Sequence, residues 1–418
     1  MKATIFSLWA SLLLLATPVY AAPAKTFFDH LEQAWAVAEV RLLRPLNFRD
    51  GRLLAFPGQL TDVAYARLGR PQTILLIHEM SDRGSEPFFS EGDVFFAPIK
   101  VLADHSYWRD NLPPTKRHAI PGGRRYVFRG KEIAEAKRVA KNYTRTFGEK
   151  MPERAVHRLG AVVSALASEV ERLRTDAVRH LASYPTLARD LDGESRKRLV
   201  DFIKSDLVED QRVMVIAAIG RAGVAELAAE LETLARGDGL DAVAAMQSLD
   251  LMGRPRSTNR LIELSSDTYG VEVRSYAAVR LGQRSASDSE ARSRALEVLG
   301  SSQEGSVRAA AALGLGRSGD KRVVEPLREA LWRGDEASRS AAAAIADIGG
   351  PLAADILQKA ILEGPSEAMI GSVMAIVALR EQCKGCLAFL RKQYESHKEE
   401  AIRDLIGIML EVHKKHEH

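Results

Sequence analysis

Several scarcities bound this chain of 418 residues. It has two cysteines, Cys383 and Cys386, too few for a disulfide framework, so a buried core must hold it together. Aromatic residues make up 6% of it while Ala and Leu are abundant, a balance that leans towards closely packed helices. With 59 Lys and Arg against 55 Asp and Glu, the net charge of +4 is too small to demand a polyanionic partner. Beyond the N-terminus no stretch approaches about 18 uninterrupted apolar residues, so no further membrane span is expected. There is no P-loop, dinucleotide-binding glycine fingerprint, nucleophile elbow or calcium loop. Collagen-like and wholly disordered chains are excluded by 46% hydrophobic and 27% charged residues.

What the chain does carry begins with an address. Lys2 precedes twelve mostly apolar residues, Ile5 to Ala16, and Val19 and Ala21 place small residues at −3 and −1 of a secretory cleavage site. The expectation is a signal peptide over 1–21, a mature start at Ala22, and a secreted or periplasmic protein. Removing 21 residues and Lys2 leaves 397 residues at +3. No cysteine follows the cleavage site, so no lipoprotein anchor is expected.

The C-terminal half repeats itself. Val273-Arg274 is followed by Ala277, Ala278, Leu281 and Gly282; Val307-Arg308 is followed by Ala311, Ala312, Leu315 and Gly316. The same register fits Gln211 to Gly220, Ala244 to Gly253 and Ser340 to Gly349, and the five glycines are 33, 29, 34 and 33 residues apart. Offsets 0, 4, 5 and 8 lie on one helix face, so each unit opens with an amphipathic helix. The glycine at offset 9 is expected to take positive φ and stop it. A second helix follows, as at Leu227, Leu231 and Leu234, or at Val324, Leu327 and Leu331. Weaker copies at Leu173 to Leu181 and Gly371 to Leu379 extend the array, and 401–412 reads as a terminal cap.

The stretch "VRAAAALGLGRSGDKRVVEPLREALWRG" (307–334) resembles the HEAT-like repeat of the phycobilisome-lyase type, a resemblance that covers about residues 171–412. It implies an α-solenoid of stacked helix pairs that serves as a binding scaffold. The signature of tetratricopeptide repeats is absent. So are the paired His-Glu motifs of deoxyhypusine hydroxylase, an enzyme built on such repeats. The resemblance therefore brings an architecture and no catalytic residues or cofactor.

Residues 22–130 are a different object. Short β-rich segments at 37–43, 61–67, 73–78, 93–102 and 124–129 are punctuated by Gly and Pro. Their number suggests a small barrel of the OB or netrin-like kind. Residues 131–147 and 154–172 read as helices connecting this domain to the solenoid at 173–418. The fold expected is thus mainly α: a solenoid of HEAT-like helix pairs behind a small β-rich domain.

Candidate binding residues fall in two places. Between Lys116 and Arg145 lie ten Lys and Arg against Glu132 and Glu135 alone, a local +8. Lys116, Arg117, Arg124, Arg125, Arg129 and Lys131 could grip phosphate or carboxylate groups of an anionic envelope polymer or lipid. The competing reading is a solvated strand edge and helix face. Nucleic acid does not suit an exported protein. On the solenoid, Glu325, Arg328, Glu329 and Arg333 mix both charges beside Trp332, which suits a protein or peptide partner in the groove if Trp332 is not core. Cys383 and Cys386 sit in a turn beside a helix start, where a structural disulfide, exchange-active thiols and metal binding all compete. His413, His416 and His418 read as a frayed tail. A rival enzyme reading would draw on His78, Glu79 and His105 in the N-terminal domain. The leading expectation is a non-enzymatic scaffold with no cofactor and no metal.

Overall fold

The computed structural model describes residues 24–47, 53–67, 69, 72–79, 88–102, 117–121, 123–150, 153–189, 191–206, 208–379, 383 and 385–415. The segment 1–21 expected to be a signal peptide, Lys116, His105, His416 and His418 lie outside the described residues. Two compact units are present: residues 19–232 with 247–252, and residues 233–246 with 253–418.

The first unit opens with a short helix α1 (Phe27–Gln33), started by a capping box between Thr26 and Asp29. Seven strands follow: β1 (Ala36–Leu42), β2 (Leu46–Asn47), β3 (Leu53–Ala66), β4 (Thr73–Glu79), β5 (Val94–Val101), β6 (Arg117–Ala119) and β7 (Phe128–Arg129). Five of them close on themselves in the order β1-β3-β4-β6-β5 and back to β1. All these pairings are antiparallel except β4 with β6. These strands form a small β-barrel. Residues with period two fill it: Ala38, Val40 and Leu42 from β1, Phe95, Ala97 and Ile99 from β5, with Phe56, Ile74 and Leu76.

The long strand β3 serves two partners, β1 along 58–66 and β4 along 53–59. Gly58 stands where it passes from one to the other. A Cβ there would lie 2.9 Å from Val40 Cγ1 and 3.1 Å from Ile74 Cγ1, so only glycine lets the barrel close at this point.

Eighteen α-helices are present among the described residues. After α1 come α2 (Glu132–Thr144) and α3 (Glu153–Leu166), then seven helix pairs. These are α4 (Glu171–Ser183) with α5 (Gly193–Ile203), α6 (Glu209–Ala222) with α7 (Ala228–Leu234), and α8 (Gly239–Leu251) with α9 (Thr258–Leu264). They continue as α10 (Val271–Arg284) with α11 (Ser289–Ser301), α12 (Gly305–Arg317) with α13 (Val324–Trp332), α14 (Glu336–Ile348) with α15 (Pro351–Glu363), and α16 (Ser366–Ala378) with α17 (Cys386–Ser396). A last helix, α18 (Glu400–Lys415), covers the residues expected to form the cap. In the second unit the first helices α10, α12, α14 and α16 stack in succession, and so do the second helices α9, α11, α13, α15 and α17. The register predicted the buried face: Val273, Ala277, Ala278 and Leu281, and Val307, Ala311, Ala312 and Leu315, are all at most 1% exposed.

Three expectations need correction. Gly253 and Gly349 take positive φ, but Gly220, Gly282 and Gly316 lie inside the last turns of their helices. Their function is contact. A Cβ on Gly282 would sit 2.5 Å from the Gly314 and Leu315 backbone, and one on Gly316 2.5 Å from Ala344 Cα. Glycine here sets how closely successive first helices approach, while Gly223 and Gly319, three residues later, turn the chain with φ of 70° and 65°.

Residues 124–129 are not one strand: a 3-10 turn covers Gly123–Tyr126, and only Phe128–Arg129 pairs with β5 as β7. Finally, the helix expected over 154–172 breaks at 167–170, where Ser168 Oγ accepts from the Val170 N–H at 3.2 Å and Arg174 holds the Ser168 carbonyl at 3.0 Å.

Candidate functional site

The basic segment 116–145 is largely turned to internal use within the first unit. Arg125 pairs with Asp176 of α4, whose side chain is 1% exposed and also accepts the Phe27 N–H at 2.9 Å. Arg129 reaches the Phe88 carbonyl at 2.8 Å and Asp93 at 3.0 Å, and lies 4.4 Å over the Phe88 ring. Lys137 bridges Glu39 at 2.5 Å and Asp62 at 3.1 Å on the barrel wall, with Lys141 3.6 Å from Asp62. The hydrogen bond from Lys137 holds both carboxyls below their ordinary range. Arg138 pairs with Glu135 at 2.7 Å. Arg117 is buried, Arg124 stacks 4.7 Å from Phe88 while remaining exposed, and Lys131 is exposed. Arg125, Arg129, Lys137 and Lys141 thus tie elements of the first unit together, while Arg124 and Lys131 stay exposed.

The junction they fasten has an aromatic centre. Phe27 meets Tyr126 and Phe128 with ring centroids 5.8 and 5.2 Å apart, and Phe28 meets Tyr143 and His180 at 5.2 and 5.1 Å. Tyr143 donates to Glu32 at 2.7 Å, and Tyr126 to the Lys25 carbonyl at 2.9 Å. Burial raises both phenol pKa values and pushes the His180 imidazole down to about 4. His180 Nδ1 lies 3.0 Å from Thr26 Oγ1. Sequence reasoning passed over Asp176 and His180, although their spacing of four within the helix of Leu173, Ala177 and Leu181 puts both on one face.

Along the repeats, an arginine just after offset zero does the same work repeatedly. Arg174 reaches back to the Ser168 carbonyl at 3.0 Å, Arg212 to Ser205 at 2.9 Å, Arg274 to the Asp267 carboxylate at 2.5 Å, and Arg308 to Ser302 at 2.5 Å. Each ties the loop before a first helix to that helix. Arg308 also reaches Asp335 of the next unit at 2.8 Å.

On the second helices, Arg333 extends from α13 to the Leu299 and Gly300 carbonyls at the end of α11, at 3.1 and 3.0 Å. Arg294 extends from α11 to Ser265, after α9, at 2.8 Å. Arg328 is exposed and pairs with Glu325 at 2.6 Å; Trp332, one turn on, is partly buried. The two candidate anchors therefore share one helix.

Cys383 and Cys386 are joined in a disulfide with Cα atoms 5.4 Å apart, in the turn between α16 and α17. His78 and Glu79 lie at the end of β4, paired in register with Leu54 and Leu53. Among the described residues no group of three or more His, Cys, Asp or Glu could hold a metal ion, and no helix is long and apolar enough to cross a membrane.

A small β-barrel followed by a solenoid-like array of HEAT repeats is thus the class of protein that these elements define. The HEAT-repeat family matches residues 258–346 and, overlapping them, 293–376. Among solved structures, YibA of Escherichia coli is 16% identical, over 59% of this chain and 87% of its own, with a TM-score of 0.34. Human deoxyhypusine hydroxylase is 16% identical, over 62% of this chain and 97% of its own, with a TM-score of 0.27. No curated protein matches the chain.

Proposed function

We propose that this protein is an exported, non-enzymatic scaffold that holds a protein or peptide partner along the second helices of its HEAT repeats. HEAT repeats as a class are protein-interaction modules, because stacked units offer an extended surface that grows with repeat number. The observation that carries the reading is the side-by-side succession of α9, α11, α13, α15 and α17, with Arg328 exposed and Trp332 partly buried on α13. Alternating Glu325, Arg328 and Glu329 suit a mixed-charge protein face better than a polyanion. Export is supported by Lys2, the apolar run and the small residues at Val19 and Ala21, and a disulfide persists best in an oxidising compartment.

The test is site-specific photo-crosslinking in the native host, with a benzophenone side chain at position 328 and, as a control, at position 145 near the barrel. A discrete protein adduct from 328, weakened at least five-fold by Trp332→Ala and absent from 145, is the expected result. Adducts of equal yield from both positions would reject the groove. N-terminal sequencing of the protein from the envelope or medium should begin at Ala22; a chain retained whole in the cytosol would reject export.

A further inference from the structure

The turn between α16 and α17 carries a chemistry that scaffolding does not use. We propose that Cys383 and Cys386 form an exchange-active disulfide, which accepts two electrons from an external dithiol through attack at Cys383.

The two sulfurs are not equivalent. Cys386 is 0% exposed, whereas Cys383 stands outside the helix and is partly exposed. An incoming thiolate therefore reaches Cys383 Sγ, and Cys386 is the leaving group. Cys386 is the first residue of α17, a helix of eleven residues whose N-cap, Gly385, supplies no side-chain cap. The positive end of that helix's dipole favours negative charge, which lowers a thiol's pKa and makes it leave faster. The Gln358 side-chain amide of α15 also points a donor at Cys386 Sγ from 3.8 Å. Burial of Cys386 works against its thiolate; the helix terminus and the amide work for it.

A purely structural reading explains the bond poorly. Its ring spans a sequence separation of three, and so short a loop removes little freedom from the unfolded chain. Backbone hydrogen bonds already shape the turn, from Cys383 N–H to the Leu379 carbonyl at 2.8 Å and from Cys386 N–H to the Cys383 carbonyl at 3.1 Å.

In the first step a dithiol's thiolate attacks Cys383 Sγ, a mixed disulfide forms, and the S–S electron pair departs on Cys386 Sγ. In the second, the dithiol's other thiolate attacks its own sulfur in that mixed disulfide and releases the Cys383 thiolate. The dithiol is oxidised to a disulfide, the pair is reduced to two thiols, and the dithiol's two protons end on Cys383 and Cys386.

The experiment follows reduction of the full mature chain by dithiothreitol, natively and in guanidinium, trapping free thiols with iodoacetamide for mass spectrometry. Native reduction within ten-fold of the unfolded rate is expected; a native rate slower by more than ten-fold means opening only through unfolding, and overturns the proposal. In Cys386→Ser, oxidised glutathione should modify Cys383, while Cys386 in Cys383→Ser stays unmodified under the same conditions. Equal modification of both would overturn the assigned direction of attack. Where either variant fails to fold, the wild-type rate comparison decides alone.

Discussion

Asp176 is an acid taken out of water and given two donors in exchange, the Phe27 amide and the Arg125 guanidinium. Truncating it strands both. Asp176→Ala should destabilise the first unit by about 3 kcal/mol, read as a shift of the denaturant midpoint at unchanged slope, and Asp176→Asn, which keeps an acceptor for the amide, should cost less. His180, one turn on, makes the same junction sensitive to pH. It faces Thr26, Asp29 and Glu32 from α1, Tyr143 from α2 and Arg158 from α3, with Tyr184 beside it. Burial lowers its folded pKa from 6.5 to about 4, so the unfolded chain binds the extra proton across that window. The contribution is complete above pH 6.5 and is lost as pH falls towards 4, about 3 kcal/mol in all. Chemical denaturation at pH 7.5 and 5 should show about 2 kcal/mol of that loss, and His180→Phe should flatten it.

Glycines divide at this scale too. Gly282→Ala forces α10 and α12 apart and should cost about 2 kcal/mol. Gly300→Ala in α11, with nothing within 4 Å of its new Cβ, should gain up to about 1 kcal/mol. Thermal melts of the two variants should move in opposite directions.

Among elements, the amphipathic first helices were the most legible part of the sequence. Their apolar spacing records burial on one face, and that face is a local property of each segment. The connection loops were not legible, because what holds them is a long arginine reaching back six or seven residues. Arg308→Ala removes donors to Ser302, Gln303 and Asp335 together. It should cost about 1–2 kcal/mol and speed amide hydrogen exchange in the 302–308 connection by more than in α12's centre; uniform change across the unit would contradict the local role. Short elements escaped notice for a related reason. Helix α1 has seven residues and strand β6 three, too few for a period to show, and both depend on partners far along the chain. At 124–129 the β-prone run holds a 3-10 turn over Gly123–Tyr126 and a strand of two residues, Phe128–Arg129, so composition alone did not give the strand's bounds.

At the scale of the whole molecule, the +8 segment changes meaning. Read along the chain it is an anion grip; folded, Arg125, Arg129, Lys137 and Lys141 meet carboxylates of α4, β1, β3 and the approach to β5. Its mutation should therefore loosen the barrel–helix junction before it affects any ligand. The Lys137→Ala variant should lower the first unit's melting temperature, with little loss of the crosslink from position 328.

The sequence by itself determined the helix pairs, their register, the buried face of each and the cysteine pair, since periodicity and spacing are written within a few turns of chain. Tertiary structure alone decided which glycines stop a helix and which admit a neighbour, how β4 and β6 close the barrel in parallel, and where the basic residues find their acids. The reason is distance along the chain: Phe27 meets Asp176 across 149 positions and Arg125 meets it across 51. No local pattern encodes a partner so remote; it is selected only when burial makes an unpaired charge or amide too costly to leave.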